Sequence, residues 1–147
     1  MGLELDLTKV TDEDFDTFAD AVARHKADRD LWHSGKFYRV RCVDEDLIGA
    51  AVVSRDQNSA RLVMAQIDRP RSIVPPTIAI PGLDPDRLYR VSLQTPPEVA
   101  RRASRTFDNP LMDDGMVLPG RILQSAGIQL PVMYAQTGVS LALEATR

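Results

Sequence analysis

The chain is poor in the residues that most often announce a function. It has one cysteine, Cys42, among 147 residues, so no internal disulfide can form, which fits a reducing cytoplasm. Aromatic residues make up 5% of it, with a single tryptophan, Trp32, few for the exposed rings on which a carbohydrate-binding module stacks sugars. Charge of one sign is also missing. Eighteen basic residues face 21 acidic ones for a net charge of -3, so there is no basic field to neutralise a phosphate backbone, and a nucleic-acid partner is excluded. No apolar run approaches the roughly 20 residues of a membrane span, and the opening "MGLELDLTKV" has neither a basic n-region nor an apolar h-region. A soluble, cytoplasmic chain without a membrane partner is therefore expected. What is present is a 44% hydrophobic content, enough for one domain with a substantial core.

The pattern changes character once along its length. "LELDL" alternates, with Leu3, Leu5 and Leu7 on one side. Thr11 then offers an N-cap with Asp14 three residues later, and Asp12, Glu13, Asp14 and Asp16 crowd the first turns. Arg24, Lys26 and Arg29 lie towards the other end, as the helix dipole favours, and Phe15, Phe18, Ala19 and Val22 recur at helical spacing. The spacing predicts one amphipathic helix from Thr11 to about Leu31, closed by "HSGK" at His33–Lys36. Beyond it come short apolar or β-branched runs separated by polar turns: Phe37–Val43, Ile48–Ser54, Ala60–Ile67, Thr77–Ile80, Leu88–Leu93, Met116–Leu118, Val132–Tyr134 and Ser140–Glu144. "PGLDPD" suits a tight connection between Thr77–Ile80 and Leu88–Leu93 as antiparallel partners. These features predict a mainly β fold: an antiparallel β-sandwich of about seven or eight strands preceded by one α-helix.

Several constellations invite a chemical reading and fail it. "DEDLIG", Asp44–Gly49, begins like a calcium loop but has Ile48 at the fifth position and Arg55 at the twelfth, where oxygen donors are required. A solvated hairpin turn is expected instead. His25 and His33 have no histidine or cysteine at metal spacing and read as surface or core-edge residues. Cys42 sits in the run "RVRCV" without a nearby histidine to activate it, and reads as a buried structural residue. Ser34-Gly35 lacks the surroundings of a nucleophile elbow and reads as a helix-terminal turn. Asp113-Asp114 falls in the loop-like "NPLMDDG", where neighbouring side chains diverge. Arg101, Arg102 and Arg105 form a solvated or partner-facing strip. "LPGRILQSAGIQLP", Leu118–Pro131, looks at first like an anion cradle, but it has neither G-x-G-x-x-G nor G-K-[ST]. It is expected to be a connector, with turns at Gly120 and Gly127 and with Leu123, Ile128 and Leu130 in the core.

Three stretches together resemble one family: "LWHSGKFYRV" at Leu31–Val40, "PPTIAIPGLDPDRLYRV" at Pro75–Val91, and "LPGRILQSAGIQLP" at Leu118–Pro131. They look like the C-terminal region of glycoside hydrolase family 36, the bacterial α-galactosidases that act on raffinose-type sugars. In the third stretch the family pattern falls on Gly120, Leu123, Gly127, Ile128, Leu130 and Pro131. The resemblance implies that residues 1–34 are the end of a catalytic (β/α)8 barrel, its last strand region and last helix, and that residues 35–147 are the β-sandwich behind it. Family members hydrolyse α-galactosides with retention through two aspartates, a nucleophile and an acid/base. Both aspartates belong to barrel motifs, a K-W-D-type strand and a C-x-x-G-G-type segment, and neither motif occurs here. The expectation is thus a non-catalytic piece of an α-galactosidase, with no catalytic, metal-ligating or cofactor-binding residue and no cofactor. It would support the barrel and contribute to a homo-oligomer. The segment Thr95–Gly115 carries no family motif. A carbohydrate-binding module is the alternative, and a standalone enzyme is a more remote third.

Overall fold

The computed structural model describes residues 8–72, 74, 77–103 and 109–146; the alternating "LELDL" piece, Arg105 and the side chains of Glu13 and Asp14 lie outside them. Two helices come first, α1 (Asp12–Ala27) and α2 (Arg29–Ser34). The carbonyl of Thr11 accepts the first helical bond, from Phe15 N–H at 2.9 Å. The expected single helix is broken at Asp28, whose φ of -95° and ψ of 3° leave the helical well although helix-type hydrogen bonds continue across it, Asp28 N–H to Arg24 and Trp32 N–H to Asp28. Gly35 closes α2 as "HSGK" suggested, with its N–H donating to the carbonyl of Leu31.

Eight strands follow, seven of them on runs read from the sequence and the eighth, β7, inside the segment read as a connector, and they divide unequally. Strands β1 (Lys36–Val40), β2 (Leu47–Val53), β3 (Ser59–Gln66), β5 (Leu88–Leu93), β6 (Met116–Pro119) and β8 (Thr137–Ala145) form one antiparallel sheet in the order β1-β2-β3-β8-β5-β6, while β4 (Thr77–Ile78) and β7 (Ile128–Gln129) form a separate ribbon. Strand β3 shows how the pattern works. Ala60, Leu62, Met64 and Gln66 are buried on one face, and Arg61, Val63 and Ala65 look the other way. The buried face joins Ala51, Val53, Tyr89, Val91, Leu141 and Leu143 in one cluster with Ile78, Ile80, Leu83, Leu123, Ile128 and Leu130. The layer opposite the large sheet is therefore mostly ribbon, short helix and coil.

Three expectations need correction. Thr77–Ile80 and Leu88–Leu93 are not hairpin partners: β4 pairs with β7, and β5 lies between β8 and β6. Val132–Tyr134 is not a strand: Val132 and Met133 are buried with a single isolated bridge at Met133, while Tyr134 is exposed, because a short buried apolar run reads the same from sequence in either state. The fold also holds more than one helix after all, since α3 (Pro97–Ala103), a 3-10 turn (Pro110–Met112) and α4 (Gly120–Ser125) join α1 and α2. The segment α4–β7 is the connector read from "LPGRILQSAGIQLP", with Leu123, Ile128 and Leu130 all buried. Its two glycines have different reasons. Gly127 has φ of +76°, and a Cβ on Gly120 would stand 2.0 Å from the carbonyl oxygen of Asp84.

Candidate functional site

The chain's main charged device is a clamp between the helical arm and the sheet. Arg61 points outward from β3 and lies against Asp28 at the α1–α2 break. Its Nε donates to Asp28 Oδ2 at 2.8 Å and its Nη2 to Oδ1 at 2.6 Å, a two-pronged grip that planar guanidinium and carboxylate groups favour. The remaining Nη1 donates to Glu144 on β8 at 2.6 Å and to the carbonyl of Ala60. Gln94, just past β5, donates to the same Asp28 carboxylate. One side chain of the arm is thereby tied to β3, to the residue after β5 and, through Arg61, to β8. The side chains of Asp28 and Arg61 are 10% and 12% exposed, so water screens the pair weakly. Burial by itself raises the Asp28 pKa, and the hydrogen bonds from Arg61 and Gln94 more than reverse this, leaving it below the ordinary carboxylate range. Arg61 is pushed the other way: burial disfavours its charge, but Asp28 and Glu144 hold it above its ordinary value.

On either side of the clamp lie apolar surfaces that no described residue covers. No described side chain of α1 is buried, and Phe15 is 54% exposed with Phe18 and Val22 half-buried beside it. On the outer face of the sheet α2 covers Val52, which is buried, but Phe37, Ile48 and Val63 remain exposed around a shallow hollow with Arg39, Ala50 and Ala65.

The residues weighed from sequence fall apart in space. His25 and His33 are exposed on the helical arm, and Ser34 ends α2 with its hydroxyl donating to the carbonyl of Asp30. Cys42 lies just beyond β1 rather than in it, partly buried, with its sulfur accepting from Asp44 N–H at 3.4 Å. Asp113 and Asp114 are exposed, and Asp113 pairs with Arg101 of α3 at 3.4 Å; Arg102 is likewise exposed. Asp44 departs from its reading. It is in a β1–β2 connection as expected, but buried rather than solvated, because its carboxylate accepts from the N–H groups of Asp46 and Arg71 and from Gln66. Among the described residues no three His, Cys, Asp or Glu side chains come together as a metal site would require, and no helix is long and apolar enough to cross a membrane. The clamp had no local sign in the sequence, for Asp28, Arg61 and Gln94 are 33 and 66 positions apart.

The architecture is that of an antiparallel β-domain carrying a clamped helical arm, with apolar faces turned outward. Residues 48–141 match the model of the glycosyl hydrolase family 36 C-terminal domain, and the chain belongs to that family. It is 30% identical to an α-galactosidase of Escherichia coli over 153 aligned residues, covering 98% of this chain and 21% of that protein. An α-galactosidase of Lactobacillus acidophilus is 28% identical over 90 residues, 61% of this chain and 12% of its own length. Among solved structures, the family 36 α-galactosidase of Geobacillus stearothermophilus superposes with a TM-score of 0.76 at 23% identity, over 97% of this chain and 17% of that one. The α-galactosidase of Lactobacillus brevis gives a TM-score of 0.75 at 24% identity, over 98% and 18%. The chain thus spans about a fifth or less of the relatives it resembles.

Proposed function

We propose that this chain is the non-catalytic C-terminal part of a cytoplasmic, retaining α-galactosidase acting on melibiose- and raffinose-type sugars, and that it buttresses the catalytic barrel. Residues 1–34 belong to the barrel's end and residues 35–147 to the supporting β-domain. The observation that carries this reading is the pair of uncovered apolar surfaces, Phe15, Phe18 and Val22 on α1 and Phe37, Ile48 and Val63 on the sheet, in a domain whose relatives are about five times as long. A raffinose complex has been solved for a variant of the G. stearothermophilus α-galactosidase, which supports the substrate class.

In isolation the chain is expected to self-associate through these surfaces and to leave p-nitrophenyl α-galactoside untouched. Sedimentation velocity should show concentration-dependent dimers or larger species, which the Phe15→Ser and Val63→Ser substitutions together shift to monomer without loss of folded signal. A stable monomer in the unmodified chain would count against the covered-face reading. Turnover by the pure chain would restore the standalone enzyme. Saturable millimolar binding of raffinose would instead favour a carbohydrate-binding module.

A further inference from the structure

Four polar residues are buried among those described: Asp28, Asp44, Gln66 and Asn109. Two have their work done by geometry already on view. Asp28 is clamped by Arg61, and Asn109 caps the 3-10 turn by accepting from Leu111 N–H at 3.0 Å. The other two, Asp44 and Gln66, line one cavity of about 340 Å³ at the opposite end of β3 from the clamp. Its walls are otherwise largely apolar, with Leu47, Leu130, Val132 and Met133 all buried. That size and mixture are those of a small-molecule site: an apolar body with a few polar groups at fixed places.

Asp44 distinguishes this hollow from a packing gap. Its Oδ1 is used by the turn, accepting from Asp46 N–H at 3.0 Å, while among the described residues Oδ2 has two long contacts, 3.4 Å each, from Gln66 Nε2 and Arg71 N–H. All three donors are neutral. Among the described residues no cation forms an ion pair with Asp44; the Arg71 guanidinium at the rim goes instead to Glu45 at 3.3 Å and Asp46 at 3.5 Å. Of the two buried carboxylates among the described residues, one has a guanidinium and the other, at the edge of an apolar cavity, has neutral donors and no described counter-charge, an arrangement that a cation would stabilise. The flanking acids add to the local negative field, three carboxylates against Arg71. One carboxylate is too few for a metal, and the cavity offers no aromatic ring on which a sugar could stack.

We propose that this cavity binds a small organic cation, a primary ammonium group on a short aliphatic body, with the ammonium donating to Asp44 and the body lying against Leu47, Leu130 and Met133. The site stands independently of the parent's activity. The test is an NMR titration of the full chain with n-butylammonium chloride, with 1-butanol as its neutral isostere and galactose as the sugar control. The expected result is saturable shifts of the Leu47, Gln66 and Met133 amides, with butylammonium at least about tenfold tighter than 1-butanol and Asp44→Asn removing that advantage. Because Asp44 also holds a turn, the two probes on the unmodified chain carry the test even if Asp44→Asn does not fold. Equal affinity for both probes, saturation by galactose alone at the same amides, or no saturation by butylammonium in the millimolar range would each overturn the proposal.

Discussion

Replacing Asp28 by alanine removes the carboxylate that receives two hydrogen bonds from Arg61 and one from Gln94. Because the pair is nearly buried, the relevant magnitude is that of a buried pair broken on one side, about 3–5 kcal/mol, most of it the cost of stranding the surviving charge. Arg61 still has Glu144, whose carboxylate is 53% exposed, and this partial rescue places the expected loss near the lower end, about 3 kcal/mol. In a domain of this length that lowers Tm by about 6–12 °C. Urea unfolding followed by circular dichroism gives the free energy directly. Arg61→Leu should cost a similar amount, since it strands Asp28, and the double substitution should cost less than the sum of the singles by about 1–3 kcal/mol. A loss below about 0.5 kcal/mol for Asp28→Ala, the level of an ordinary surface change, or strictly additive singles, would refute the clamp. The same pair predicts an acid limb. Since the folded-state pKa of Asp28 is lowered from 3.8, its contribution is fully present well above that value and is lost as pH falls from there through the lower folded pKa. Asp28→Ala should flatten that limb.

Two other perturbations probe the core. Tyr89 is fully buried, and its hydroxyl donates to the Gln57 carbonyl at 2.7 Å while accepting from Asp84 N–H at 2.9 Å, so Tyr89→Phe should cost about 1–3 kcal/mol in urea unfolding. Burial also raises the Tyr89 pKa above 10.0, so its contribution is complete below pH 10.0 and is lost as pH rises through the higher folded value; the phenylalanine variant should lack this alkaline loss. Gly120→Ala would place Cβ 2.0 Å from the Asp84 carbonyl oxygen, a backbone atom that cannot swing aside, so a loss of about 1–3 kcal/mol or more is expected from thermal melts.

The sequence was most legible where periodicity and burial coincide. Strand β5 occupies the Leu88–Leu93 run read from its apolar and β-branched content, and β2 and β3 lie within one residue of theirs. Pairing was less visible, since nothing local tells Thr77–Ile78 to join Ile128–Gln129 across 50 positions. Helix α3 was missed although Pro97 at its start, Glu98 in the first turn and Arg101 and Arg102 in the last are ordinary helix signals; they sat in a stretch without apolar periodicity. Of the site, the exposed α1 face was readable from Phe15, Phe18 and Val22, whereas the clamp was hidden because Asp28 looks like any surface helix acid until β3 is laid beside it. Asp44 was likewise read as solvated, because the residues that enclose it arrive from β3 and from the segment after β7.

The position of β8 in the sheet has a kinetic consequence. It is the last of the described strands in chain order, yet it lies between β3 and β5 and, among the described residues, is what joins the β1–β2–β3 meander to the β5–β6 pair. During synthesis the meander can form early, but its β3 side stays an open, hydrogen-bond-hungry edge until β8 has left the ribosome. Sheet closure must therefore wait for β8 and be slow, governed by contacts about 80 residues apart such as Ser59 with Glu144. Within that interval the half-made sheet is most exposed to pairing with another chain, and chaperone demand or loss to aggregation should concentrate there.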